Sequence, residues 1–228
     1  MNHDMIQQRL TIAGYYRGPI DGDFAAASRA GFRAMLSDGA VCLVSDDDFA
    51  SAAAQIGCDI SAVRTVHDVL ATATPLDSAA GTIIFEAHRF SRMTGGRYDA
   101  SHPHLSSPAY DPMLYPVDED RRWQQALAAI ALDADAGLMA ISFGGFQIIG
   151  EQAMTAGSLD PFSYLHNQAR KPGHQAFAFA SFVIAHGLQD ALCNRDWDAF
   201  AAGYNPTAAV HADYAARLAA DYAARATL

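Results

Sequence analysis

Apolar residues recur at helical spacing along most of the chain. Ile6 and Leu10 mark one face of a first helix, which Gly14 ends. The turn Gly18-Pro19-Ile20-Asp21-Gly22 follows, and a second helix starting near Ala25 carries Phe32 and Leu36. Residues 45–73 read as two further helices. Ser45 caps the first, with Asp48 at the capping-box position, and Gly57 ends it. Asp59 caps the second, whose Ile60, Val63, Val66 and Leu70 fall on one apolar face.

The pattern changes after residue 80. GTIIFE, residues 81–86, is a β-branched apolar run leading out of a turn and predicts a strand. Residues 91–116 are rich in Gly, Pro, Ser and His and predict a long ordered loop, a feature usually tied to function in compact domains. From Asp118 onward the chain reads as helical. The first segment carries Trp123, Leu127 and Ile130 on one face, and others follow around 138–150, 160–169, 173–186, 196–204 and 207–226. HQAFAFASFVIAHG, starting at His174, is apolar almost all round, which marks a central buried helix. Tyr214, Leu218 and Tyr222 stripe the last helix. The expected fold class is mainly α: a helical domain over 45–228 with a small β-hairpin region, preceded by a small helical module over 1–40.

Composition supports a folded, helical chain. Of 228 residues, 51% are hydrophobic and 18% charged, which allows a sizeable core and argues against disorder. Abundant alanine favours helix over strand. The net charge of -10 repels nucleic-acid phosphates and anionic membranes, so no nucleic acid is expected as a partner. The most apolar segment, Phe177 to Ile184, is too short to span a bilayer, and no membrane insertion is expected. MNHDMIQQRL lacks a basic stretch followed by an apolar one, so no signal peptide is read and synthesis in the cytoplasm is expected. Cys42, Cys58 and Cys193 are odd in number, match no metal or redox spacing, and read as reduced, mostly buried thiols. His88, His102 and His104 lack HxxxH or CxxC spacing and read as loop-ordering groups, so no metal or cofactor is expected.

Four stretches carry more specific signals. IQQRLTIAGYYRGPIDGDFAAASRAGFRAML combines QxxL, a Gly-Tyr-Tyr-x-Gly-Pro-Ile-Asp-Gly turn and a Ser-Arg-Ala-Gly-Phe helix. It resembles a shortened form of the small helical peptidoglycan-binding module of wall hydrolases. The others are Phe85-Glu86-Ala87-His88-Arg89-Phe90 with Thr94 to Pro103, Ser142 to Gly150, and Trp197 to Asn205. Their order and spacing resemble the N-acetylmuramidase domain of phage endolysins, related in architecture to goose-type lysozymes and lytic transglycosylases, from about Asp46 onward. The resemblance implies a lysozyme-like fold, peptidoglycan glycan strands as partner, and action at the cell wall or periplasm after release by another route, such as a phage holin.

Some roles are physically plausible without the family. Gly144 in Ser142-x-Gly-x-x-Gln147 lets a sugar ring approach the backbone where a helix starts beside a cleft. Gln147 offers both donor and acceptor. Tyr204 and Asn205 pair an aromatic face with an amide at a helix end. The alternatives are a buried amide for Gln147 and a core ring for Tyr204. Ser142, Gly144, Gln147, Tyr204, Asn205, Asp99 and His88 are the candidate substrate-binding residues.

Glycosidic cleavage needs a general acid, usually a carboxyl of raised pKa. The resemblance places that acid in the stretch Val66-His67-Asp68-Val69-Leu70-Ala71-Thr72, where neither Val69 nor Leu70 can donate a proton. Asp68 is two residues from Leu70 and faces elsewhere on a helix. The following turn, Ala73-Thr74-Pro75-Leu76, also departs from the family pattern, as do Phe143 for a tryptophan and Gly145 for a larger apolar residue. Three readings follow: a glycan-holding pseudoenzyme with Leu70 at the lost catalytic position, an active muramidase using Glu86 as acid, or an interaction module that kept only the fold.

Overall fold

The computed structural model describes residues 1–37, 44–73, 83–171, 173–206 and 213–225. Cys42 and most of the turn after Ala73 lie outside the described residues. The fold is mainly α, with one small sheet. Helices α1 (His3–Ile12) and α2 (Ala26–Ser37) come first, then α3 (Asp46–Ile56) and α4 (Ile60–Ala73). Strand β1 (Ile83–Phe85) leads into α5 (Ala87–Thr94), and α6 (Glu119–Leu132) and α7 (Ala134–Met139) precede a hairpin of β2 (Ile141–Phe143) and β3 (Ile148–Ile149). The chain continues through α8 (Pro161–Arg170), α9 (His174–Ala185), α10 (Gln189–Asn194), α11 (Trp197–Tyr204) and α12 (Tyr214–Arg225).

Local chemistry sets the early elements as the sequence indicates. The Ser45 hydroxyl accepts from the Asp48 amide while the Asp48 carboxylate accepts from the Ser45 amide, which completes a capping box on α3. Gly57 then ends α3 in the left-handed region at φ 86°. In the first unit the fully buried Gln7 holds the turn that follows α1. Its Nε2 donates to Asp21 Oδ1 at 2.9 Å, and its Oε1 accepts from the Asp21 and Gly22 amides at 3.0 and 2.9 Å. This unit rests on α8: the Phe32 and Phe162 rings lie 6.2 Å apart, and Arg9 pairs with Asp160 at 2.7 Å.

Three expectations need correction. Residues 138–150 are not a helix segment, and no helix starts at Ser142. They form the end of α7 and the β2–β3 hairpin, because Gly144 at φ 84° and Gln147 at φ 50° take left-handed conformations that end a helix. The expected loop over 91–116 begins inside α5, where Ala87, Phe90 and Ser91 face the core and Gly95 closes the helix in the left-handed region. Cys58 and Cys193 are partly exposed rather than buried.

The sheet runs β1-β2-β3, all antiparallel, with Ile84 opposite Ser142 and Ser142 opposite Ile149. The apolar α9 packs against α3 in the centre, and α12 packs against α4 and α11. Buried side chains form one continuous core from Ile6 to Leu218. No helix among the described residues is long and apolar enough to cross a membrane.

Candidate functional site

A pocket of about 250 Å³ opens where α4, the sheet, α9 and α11 meet. Leu70, Glu86, Gln147, Tyr204 and Asn205 all line it, so five of the residues singled out in the sequence converge. Arg89, Gln152, Phe182 and His186 are also in the wall, and Glu86 supplies its one carboxyl among the described residues.

Each side chain is placed by its element. Val63 and Val66 of the α4 stripe are fully buried, and Leu70 continues that stripe at 7% exposure to reach the pocket. Asp68 points away: it binds the His67 ring at 2.6 Å and Arg225 of α12 at 2.5 Å. Glu86 directly follows β1, and its amide donates to the Ala140 carbonyl at 2.9 Å. Pairing of β1 with β2 brings the Ser142 hydroxyl to Glu86 Oε1, to which it donates at 3.3 Å.

The Glu86 side chain is 19% exposed, and Arg89 Nε lies 3.6 Å from its Oε2. Burial pushes the carboxyl above its ordinary range; the charge of Arg89 and the Ser142 hydrogen bond oppose this without cancelling it, and Glu151 adds a further upward push. Glu151 is itself held by Arg92 at 2.6 Å and by Arg89 at 3.4 Å. A carboxyl in this setting can take up a proton and offer it as a hydrogen bond to an oxygen in the pocket.

His88 and Asp99 do not line this pocket. His88 Nε2 lies 3.6 Å from Glu86 Oε2, and its ring meets Tyr110 edge-on. Burial and the charges of Arg89 and Arg92 depress its pKa, so it is a neutral imidazole at neutral pH. Asp99 accepts from the Ser106 hydroxyl at 2.5 Å and orders the segment after α5.

The hairpin shows why its residues take their types. Gly144 does not open space for a ligand: a side chain there would meet Gln175, whose Oε1 accepts from the Gly145 amide at 2.8 Å. Gln147 Nε2 donates to the Gly144 carbonyl at 2.7 Å, closing the turn. A side chain at Gly145 would collide with the His67 ring, which packs edge-on against Phe49 and Phe146. The absence of a side chain at Gly145 and the position of the His67 ring thus fit one another. Tyr204 is both wall and core: its hydroxyl donates to the Phe146 carbonyl at 2.7 Å, and its ring stacks on Phe200.

His186 escaped the sequence reading. It stacks on Phe182 at 4.0 Å at the end of α9. The signal was present as the first ionisable residue after a long apolar run. Among the described residues no three His, Cys, Asp or Glu side chains converge to hold a metal ion.

Comparison with known proteins agrees with this geometry. A family model described as Muramidase, N-acetylmuramidase, matches residues 59–226. Among solved structures, the crystal structure of Burkholderia AP3 phage endolysin is 24% identical, covers 99% of this chain and 96% of its own, and superposes with a TM-score of 0.67. At that identity the likeness shows the fold. No curated protein matches the chain.

Proposed function

The chain belongs to the N-acetylmuramidase family, and we propose that it holds the glycan strands of peptidoglycan without the acid that family chemistry uses. The observation that carries this reading is Leu70. It lines the pocket from the last turns of α4, where the family resemblance places the acid, and it has no proton to give. The pocket is small for a ligand site, and it suits a sugar ring rather than a long stretch of strand. Among its amides, Gln147 and Asn205 supply donors and acceptors for hydroxyl and acetamido groups. A net charge of -10 gives no long-range attraction to an anionic wall, so local contacts of this kind must provide the binding. The site of action is the cell wall, and α1 and α2 are a shortened wall-binding unit.

A second reading rests on one observation. Glu86 reaches the pocket as a mostly buried carboxyl of raised pKa, which is the form a general acid takes. Under that reading it protonates the glycosidic oxygen, and the chain is a muramidase with a displaced acid.

Pelleting with purified sacculi tests the binding claim. The wild-type protein is expected in the pellet, and Asn205→Ala and Gln147→Ala are expected to shift it to the supernatant. Wild-type protein that stays wholly soluble would contradict the proposal.

A further inference from the structure

Two thiols meet where two helices end. Gly57 closes α3 and Arg195 closes α10, both in the left-handed region, at φ 86° and 59°. Cys58 directly follows the first stop, and Cys193 stands just before the second. The Cys193 thiol donates to the Gly57 carbonyl at 3.5 Å across 136 positions of chain, and the Cys58 and Cys193 thiols share a hydrogen bond. Both are free, partly exposed and packed against the core.

The backbone around the pair is held in place. The Cys58 amide donates to the Ala53 carbonyl at 3.0 Å. Tyr222 of α12 ties the neighbouring residues together: its hydroxyl donates to Asp59 Oδ2 at 2.8 Å and accepts from Arg195 Nη1 at 3.2 Å. Its ring lies 5.6 Å from that of the buried Trp197. The two sulfurs are therefore kept side by side, which is the geometric condition for joining them. Neither cysteine lines the pocket at Glu86. Cys58 is also a poor lone nucleophile: burial, and then the neighbouring Cys193, push its thiol up to about 12, so it stays protonated at neutral pH.

We propose that Cys58 and Cys193 are a disulfide-forming pair, which closes in an oxidising compartment and locks the turn between α3 and α4 to the end of α10. The oxidant is itself a disulfide, small or protein-borne. Cys193 loses its proton and attacks one sulfur of that disulfide. A mixed disulfide forms, the oxidant's S–S bond breaks, and the departing thiolate takes up the proton. Capping Cys193 in this way removes the charge that opposes ionisation of Cys58. The Cys58 thiolate then attacks Cys193 Sγ and expels the other half of the oxidant as a thiol. Two protein thiols are oxidised, and one disulfide is reduced to two thiols. The closed loop contains Leu70, Glu86, Gln147 and His186 of the pocket wall. The oxidising compartment rests on the wall-directed reading above, because disulfides persist outside a reducing cytoplasm; the pairing rests on the two helix ends alone.

The test uses the full chain, purified in dithiothreitol and transferred to oxidised glutathione. Peptide mapping without reduction is expected to show a Cys58–Cys193 cross-link within monomeric protein. The melting temperature is expected to rise by roughly 5 °C or more over the reduced chain, as for closure of a long loop. Cys58→Ser and Cys193→Ser are expected to lose this rise while melting, when reduced, close to reduced wild type; Cys42→Ser is expected to keep it. A cross-link through Cys42, glutathione held on one thiol with no second step, or an oxidised chain no more stable than the reduced one would overturn the proposal. Sacculi take no part in these measurements. A cross-linked protein that fails to pellet with sacculi would leave the pair standing and remove the glycan reading.

Discussion

Leu70, in the last turns of α4, and Glu86, the first residue after β1, line the same pocket. The first is apolar where the family resemblance places an acid. The second is an acid whose surroundings raise its pKa. The chemistry left to the site depends on which of the two governs it.

Glu86 gives a prediction in pH. Its folded pKa is raised above the ordinary 4.5, so the folded chain takes up the proton more readily than the unfolded chain. Folding therefore loses stability as pH climbs from about that ordinary value through the raised one. Glu86→Gln removes the buried charge. Thermal melts are expected to show the variant more stable than wild type at pH 7, with the gain vanishing below about pH 4.5. A variant less stable than wild type at pH 7 would mean that Arg89 and Ser142 outweigh burial.

Leu70→Glu tests the lost position. It removes a buried apolar side chain and puts a carboxyl in its place, at an expected cost of about 2–4 kcal/mol in urea denaturation. The same variant is expected to release muropeptides from sacculi that wild type leaves intact. Asp68→Ala should release none, like wild type, and added to Leu70→Glu it should leave release unchanged, because Asp68 faces Arg225 and His67.

Tyr204→Phe separates wall from core. The hydroxyl it removes donates to the Phe146 carbonyl at 2.7 Å, and both groups are buried. Leaving that carbonyl without its donor is expected to cost about 1–3 kcal/mol. Since Phe146 precedes Gln147, sacculus binding is expected to weaken beyond what the loss of stability accounts for.

Asp160 ties the first unit to α8. Burial works against its charge, but hydrogen bonds from Arg9 and Ser163 prevail and hold its pKa below the ordinary 3.8. The stability this contributes is present above that ordinary value and is lost as pH falls through the folded one. Asp160→Asn keeps a helix-capping oxygen and removes the charge. The pair is partly exposed, so the expected cost is only about 0.5–1 kcal/mol at pH 7, closing toward zero as pH falls through the lowered pKa.

Much of the fold was legible in the sequence. The capping box at Ser45, the stop at Gly57, the Val63–Val66–Leu70 stripe and the apolar α9 each rest on short-range chemistry. The hairpin at 141–149 was not, because its apolar residues fit a helix equally well and the positive φ of Gln147 has no signature of its own. α5 was hidden by its polarity: only Ala87, Phe90 and Ser91 face inward. Of the site residues singled out in the sequence, Leu70, Glu86, Gln147, Tyr204 and Asn205 line one pocket, while His88, Asp99, Ser142 and Gly144 do not, and the partners of all of them were hidden. That Gly144 makes room for Gln175, and Gly145 for His67, depends on contacts between residues at least 30 apart in the chain.

On the proposed reading this chain holds glycan and does not cut it, and mass spectrometry of the soluble fraction after incubation with purified sacculi decides between holding and cutting. The expected result is wild-type protein in the pellet and no muropeptides above the buffer control. Reducing-end muropeptides released by wild type, and lost in Glu86→Gln, would contradict it and make Glu86 the acid of an active muramidase.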